Sequence, residues 1–339
     1  MSAHFESGFM VGKPAWHGLG KVLPDSTRLS VEEGLVAAGL DWQVDLLPLE
    51  VSHNAPVPGP SYGPDWIGPL HPAAGKVVPS MATVRREDNT VLGVVGMRYN
   101  VLQNVEAFQW FQPFLDANEA TLHTAGSLHD GKRIWVLAKL NRQSIEVGEG
   151  DTIDKFLLLS NSHDGSASVR VGFCPIRVVC ANTLAMGHKA GQLLRLRHTS
   201  SLQATLTEVR DIVNTANEQF EATAEQYRAL AARPISPDDL RAFVRQVVLD
   251  VPGDTPYDKL STRKANVLQD VIDRYHSPIG GQYISNRPTW WKAYNAVTEH
   301  LSYAAGRNDN TRLKSLWYGE NQKRSEKALT TAVELSQAI

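Results

Sequence analysis

The chain has 339 residues, of which 42% are hydrophobic, 21% charged and 8% aromatic. That composition excludes a disordered chain, which lacks the apolar side chains needed to offset ordering entropy, and it suits one large or two modest folded domains. Formal net charge is −2, so the molecule as a whole has no bias toward polyanions and any such bias must be local.

Residues 1 to 50 begin with Met1 to Gly12, which has no apolar core behind a basic start and so does not read as a secretion signal. The loop-like stretch Gly12 to Gly20 follows, then a helical pattern around Val31 to Ala38 and a strand-like run from Trp42 to Val51. From His53 to Pro79 the chain carries seven of its 18 prolines, which forbid regular ladder or helix hydrogen bonding over most of that length. An extended surface loop is expected there.

The period then becomes two. Met81 to Arg86, Val91 to Met97, Arg133 to Leu140, Lys155 to Ser160, Ser168 to Phe173, Ile176 to Cys180 and Gln192 to Arg197 are rich in β-branched residues and bounded by Gly, Asn or Asp, so they predict strands. One helix, Val105 to Ala117, interrupts them, with Asn104 as its expected cap and Pro113 as an expected kink.

After Thr199 the period changes to that of a helix. Leu202, Leu206, Val209, Val213, Ala216, Phe220, Tyr227 and Leu230 predict one long amphipathic helix from Ser201 to Ala232. Ser236-Pro237-Asp238-Asp239 starts a second helix, and others fit Asp258 to Tyr275, Thr289 to Ala305 and Glu320 to Gln337. Strands bunch together and helices follow, which predicts an α+β fold. We expect a mainly antiparallel sheet over residues 1–199, with the proline-rich loop at 53–79, and a helical region over 200–339 packed on it. No apolar run approaches the roughly 20 residues of a membrane-spanning helix, so no membrane partner and a cytoplasmic setting are expected. Two cysteines, Cys174 and Cys180, are too few for a disulfide framework or a zinc site and are expected in the core.

Charge is unevenly placed. Between Asp164 and Glu208 there is no acidic residue in 43 positions, while Arg170, Arg177, Lys189, Arg195 and Arg197 are basic and His188 and His198 can add to them. Apolar residues alternate with the arginines in Val169-Arg170-Val171, Ile176-Arg177-Val178 and Leu194-Arg195-Leu196-Arg197. A strand's period of two then sets aliphatic groups on one face and guanidinium groups on the other. Guanidinium forks suit phosphates because they donate paired hydrogen bonds and keep their charge. The functional reading is a nucleic-acid surface of Arg170, Arg177, Lys189, Arg195, Arg197 and His198; the alternative is internal pairing with Glu208, Asp211, Glu218 or Glu221.

Asn161-Ser162-His163-Asp164-Gly165 and His129-Asp130-Gly131 repeat a His-Asp-Gly tripeptide. His129, Asp130, His163 and Asp164 could supply metal ligands or an acid/base pair, or could form turns whose Asp and Gly accept the required backbone geometry; the turn is the favoured reading. Gly18-Leu19-Gly20-Lys21 fails as a phosphate loop, because Ala15 stands where the first glycine belongs and Val22 where Ser or Thr should hold magnesium. No dinucleotide fingerprint or nucleophile elbow appears, and no cofactor is expected. A nucleophilic Cys180 would need a base beside it, so a buried thiol is favoured. Trp290, Tyr294, Val297 and Leu301 lie at helical steps and predict packing rather than base stacking.

Several of these stretches resemble a known family. Pro14-Ala-Trp-His-Gly-Leu-Gly20, Val91-Leu-Gly-Val-Val-Gly-Met-Arg-Tyr99 with Gln103-Asn104, Ala125-Gly-Ser-Leu128, Asn161-Ser-His-Asp-Gly-Ser166, Ile176-Arg-Val-Val-Cys-Ala-Asn-Thr-Leu184, Arg197-His-Thr199 and Ala293-Tyr-Asn-Ala-Val-Thr-Glu299 look like the phage/plasmid-like proteins of the domain-of-unknown-function 932 family. The resemblance runs from about Gly12 to Leu329, with His53 to Pro79 as a departure. It implies a mobile-element origin and a setting in DNA metabolism, and it supplies no activity, so no catalytic residue is carried over. The expected function is therefore a non-enzymatic single-stranded DNA-binding or annealing protein of recombination, acting as a homo-oligomer. The alternatives are a metal-dependent nuclease-like hydrolase and a mobile-element interaction protein.

Overall fold

The computed structural model describes residues 5–12, 20–53, 73–141, 144–148, 151–177, 182–183, 194–215, 217–279, 287–307, 311–312, 315–316 and 319–337. In chain order these form β1 (Phe5–Val11), β2 (Lys21–Leu23), α1 (Val31–Ala37), β3 (Val44–Glu50), β4 (Val77–Arg85), β5 (Val91–Gly96), α2 (Asn104–Gln109) and α3 (Gln112–Asp116). There follow β6 (Ala120–Leu128), β7 (Arg133–Leu140), β8 (Ile145–Gly148), β9 (Asp151–Ser162), β10 (Val169–Arg177), β11 (Asn182–Thr183) and β12 (Leu194–Leu196). The C-terminal part is α4 (Leu202–Thr215), α5 (Asn217–Ala232), α6 (Pro237–Val247), α7 (Thr262–His276), α8 (Trp290–Tyr303) and α9 (Glu320–Gln337).

The fold is α+β. A large sheet runs β11-β10-β9-β7-β6-β1-β2, with β12 added to β10 and β8 to β9, and a small sheet runs β3-β4-β5. Every pair is antiparallel except β1 with β2. The segment Ser168 to Phe173 and the first two residues of Ile176 to Cys180 fall in one strand, because β10 crosses Pro175 and pairs continuously with β9 as far as position 177. Cys180 and most of the proline-rich loop lie outside the described residues; its last part, from Val77, is the start of β4.

Helix boundaries differ from expectation where a side chain has other partners. Asn104 is the first helical residue rather than the cap: its Nδ2 donates to the carbonyls of Leu40 and Trp42, while Gln103 and Glu106 make the reciprocal capping box. Pro113 does more than kink the helix. It sits in the first turn of α3, where its missing N–H has no partner to lose, so two short helices meet near Trp110. The helix expected from Ser201 to Ala232 is helical over Leu202–Thr215 and Asn217–Ala232, and residue 216 between them lies outside the described residues.

Two apolar clusters hold the molecule together. The first sets Leu157, Leu159, Val169, Val171, Ile134, Val136 and Ala138 of the large sheet against Phe108, Phe111 and Leu206 of the helices. The second is centred on α8, where Trp290, Tyr294, Val297 and Leu301 are buried, as their spacing predicts, among α5, α6, α7 and α9. It also takes in Ile145, Val147 and Ile153 of β8 and β9.

Candidate functional site

Ladder register settles which arginines share a face. Arg170 of β10 lies opposite Arg195 of β12 on one side and Ser160 of β9 on the other; Ser160 lies opposite Trp135, and Trp135 opposite Gly126. One cross-strand row thus runs Arg195, Arg170, Ser160, Trp135, Gly126. Its basic members occupy only the two outer strands, because Trp135, Leu137, Phe156 and Leu158 on the same face are all buried. The sheet is covered on both sides at its centre, and the expected basic face is a rim two strands wide. Position 177 aligns with Ile153, seven residues and therefore the opposite pleat from Arg170, so those two positions do not share a face of the ladder. Arg177 has a described backbone only, and Lys189 lies outside the described residues.

Arg197 and His198, just past β12, enter an open cleft of about 1130 Å³. Its walls are Pro79 and Gly96 to Tyr99 from the small sheet, Gly165 to Ser168 from the turn between β9 and β10, and Arg197 to Ser200. The floor is a pair of stacked rings, Tyr99 on His198, with centroids 4.4 Å apart. Tyr99 donates its hydroxyl to the Ser162 carbonyl at 2.6 Å, and burial raises its pKa so that it stays a phenol. His198 Nδ1 donates to the Asn100 carbonyl at 3.0 Å while Asn100 N–H donates back to the His198 carbonyl at 3.1 Å. Burial lowers the His198 pKa, with the Asn100 bond opposing it, so the cleft's positive charge at neutral pH comes from arginine.

Arg98 and Arg197 are both exposed, and among the described residues no carboxylate pairs with either. Arg195, two residues before Arg197, is exposed as well. Like charges placed directly across a strand pair, as Arg170 and Arg195 are, repel unless something negative shares them. Among the described residues no ion pair joins Arg195 or Arg197 to Glu208, whose side chain is exposed. Arg98 escaped the charge analysis because it sits outside the acid-free stretch. Its only signal was its place in the Val91-to-Tyr99 motif, just beyond a strand-ending glycine.

The wall between β9 and β10 is a tight polar turn. Asp164 Oδ1 accepts from the hydroxyls of Ser162 and Ser166 and from the Ser166 N–H at 2.9 Å, and Arg133 donates to Ser166 Oγ at 2.9 Å. Burial alone would raise the Asp164 pKa; the Ser162 and Ser166 bonds outweigh it and hold the carboxyl below its ordinary value, which makes it a poor general base. His163 points the other way, fully buried, with Nε2 2.9 Å from Asn104 Oδ1 and its ring edge-on to Trp42. His129 and Asp130 both take left-handed backbone angles in the β6–β7 turn, and the Asp130 carbonyl accepts from Arg85 at 2.7 Å. Arg85 itself stacks on Trp42, 4.5 Å from the ring centre. The two His-Asp-Gly tripeptides are therefore turns, as favoured. Among the described residues no three His, Cys, Asp or Glu side chains group as metal ligands, and a guanidinium beside the Asp130 carbonyl further disfavours a cation there.

The sequence model of a family described as Domain of unknown function (DUF932) matches residues 91–317 of this chain, about two thirds of its length. No curated protein and no solved structure matches it. Among the described residues no helix is long and apolar enough to cross a membrane. Three of the segments that carry the family resemblance, Val91 to Tyr99, Asn161 to Ser166 and Arg197 to Thr199, are far apart in the chain and meet at the cleft.

Proposed function

Because the chain belongs to the DUF932 family, a domain of unknown function, its role has to be read from its own surface, and we propose that it binds single-stranded nucleic acid, as a DNA-annealing protein of recombination would, by holding the strand's phosphates in the cleft. Arg98 and Arg197 grip phosphates from opposite walls, and Arg195, backed by Arg170, extends the grip along the rim. The hydroxyls of Ser168, Thr199 and Ser200 add neutral donors. Nothing in this arrangement is keyed to base edges, so binding is sequence-independent. The proposal includes assembly of several copies along one strand, as annealing demands.

The observation that carries this reading is the pair of exposed guanidinium groups in one cleft without a carboxylate on either. An acidic protein partner would also satisfy two arginines; a strand is favoured because the cleft is open and the cations continue along the rim. The hydrolase alternative gains nothing from the site, since Asp164 Oδ1 is taken up by the Ser162 and Ser166 donors and, among the described residues, no three potential ligands group around it.

A labelled single-stranded oligonucleotide tests the proposal. With three phosphate contacts, log affinity should fall against log salt with a slope of about −2, at roughly −0.7 per contact. Arg98→Ala and Arg197→Ala should each weaken binding and flatten that slope by roughly 0.7 while leaving the thermal midpoint unchanged. Absence of binding at low salt, or a slope unmoved in both variants, refutes it.

A further inference from the structure

Beyond the Asp45–Arg86 ion pair, the outward face of the small sheet exposes aliphatic side chains on its edge strands, where a one-sided antiparallel sheet ordinarily presents polar groups to water. Register places Leu47, Ala82 and Val94 in one cross-strand row and Asp45, Val84 and Val91 in the next. In the other direction the row Ser80–Gly96 leads to Pro79 and Met97, which are walls of the cleft. Leu47 is 48% exposed, Val91 57%, Val94 59% and Met97 61%. Between strip and cleft lies Gly96, where an added Cβ would meet nothing within 4 Å, so no side chain fences one from the other. Ala82 and Val84 of the central strand are buried, so the exposed aliphatic groups are Leu47 on one edge strand and Val91 and Val94 on the other, and the β5 edge leads past Gly96 to Met97 and the basic cleft.

We infer that this strip is the base-side continuation of the strand track: a strand held by its phosphates in the cleft passes over Gly96 and lays unpaired bases on Met97, Val94, Leu47 and Val91. The inference rests on the cleft binding nucleic acid and says where the rest of the strand goes. An unpaired base has an apolar flat face and an anionic backbone beside it, which is the pairing of surfaces found here; a duplex keeps those faces in its own stack. A second copy of the chain is the rival occupant. Four half-exposed side chains supply far less than the roughly 800 Å² per partner that a standard protein interface buries, so the strand is the better fit.

The test uses deoxythymidine oligomers, one of four residues that fills only the cleft and one of twelve that reaches the strip, with the full chain and with Leu47→Gln/Val94→Gln. The longer oligomer should lose about tenfold in affinity in the variant, the shorter one nothing, since the apolar contact of two aliphatic side chains with the bases is removed. Val91→Gln, on the strip and outside the cleft lining, should give a smaller loss of the same length-selective kind. Unchanged affinity for the longer oligomer in both variants overturns the inference. So does loss of self-association in sedimentation with oligomer binding intact, which assigns the strip to a second copy. If the unaltered protein binds neither oligomer, the cleft reading itself fails and takes the track with it, an outcome distinct from the other two.

Discussion

His163 shows how one residue's chemistry is decided by its surroundings. Asn104 Nδ2 already donates to two carbonyls, so its Oδ1 must accept, and His163 Nε2 carries the proton. Nδ1 is then bare, and it is buried with no partner. Burial pushes the His163 pKa down to about 3, with the His198 charge adding to the effect; burial likewise pushes His123 down to about 4. Below the ordinary value of about 6.5 the unfolded chain binds protons that the folded chain refuses, so these histidines leave stability untouched above that pH and erode it progressively as pH falls toward 4. We predict a thermal midpoint that is level between pH 7 and 8 and drops steadily below pH 6.5; a midpoint held constant down to pH 4.5 would show that neither ring is buried neutral. The His-Asp-Gly turns were legible because Asp and Gly have few other uses in such a tripeptide. The burial of His163 was not, because Trp42 and Asn104 come from segments far away in the chain.

At the scale of elements, the cleft exists because two sheets touch through glycines. A Cβ added at Gly93 in β5 would lie 2.5 Å from the Cα of Asp164, and one at Gly165, whose φ is +70°, would lie 2.9 Å from Val95 Cγ1. Backbone packs on backbone at the first contact, so neither side has a flexible end that can give way. Gly93→Ala is therefore expected to cost about 1–3 kcal/mol, the range for overpacking a well-filled contact, and to weaken oligonucleotide binding by displacing Arg98 from the turn. Chemical denaturation of the variant checks the first effect, and a stability equal to the parent's would mean the two sheets do not meet there. Alternation of β-branched residues was enough to place β4, β5, β7 and half of β9. It missed β1 and β6, whose glycines, alanines and serines lower the contrast that a period of two needs, and β8, which alternates but is only four residues long. Asn104 looked like a cap because sequence shows its type but not the carbonyls it reaches.

Across the whole molecule, the two apolar clusters are joined through β9, which gives Ile153 to the second and Leu157 and Leu159 to the first, and buried polar bonds fix the helices within each cluster. Trp291 of α8 donates its indole N–H to Asp151 Oδ2 at the start of β9, 2.8 Å away, and both side chains are buried. Trp110 of α2's end donates to the Leu206 carbonyl of α4 at 2.8 Å. Replacing Trp291 by Phe keeps most of the ring but withdraws a donor from a buried carboxylate, which should cost about 1–3 kcal/mol. Denaturant titration followed by signals from both halves should show the two moving together; a loss confined to the helical half would place the coupling elsewhere.

The sequence by itself determined the class of fold and the chemistry available to it. Periodicity is local, so runs of two and of 3.6 announce strands and helices wherever they occur, and an acid-free stretch announces a basic region. Only the tertiary structure decided which arginines lie together. Facing is a property of register and of what covers a sheet: Trp135 and Leu158 close the middle of the face that Arg170 shares, Arg177 falls on the other pleat, and Arg98 arrives from a separate sheet. Those outcomes depend on pairings between residues far apart in the chain, which no local pattern encodes.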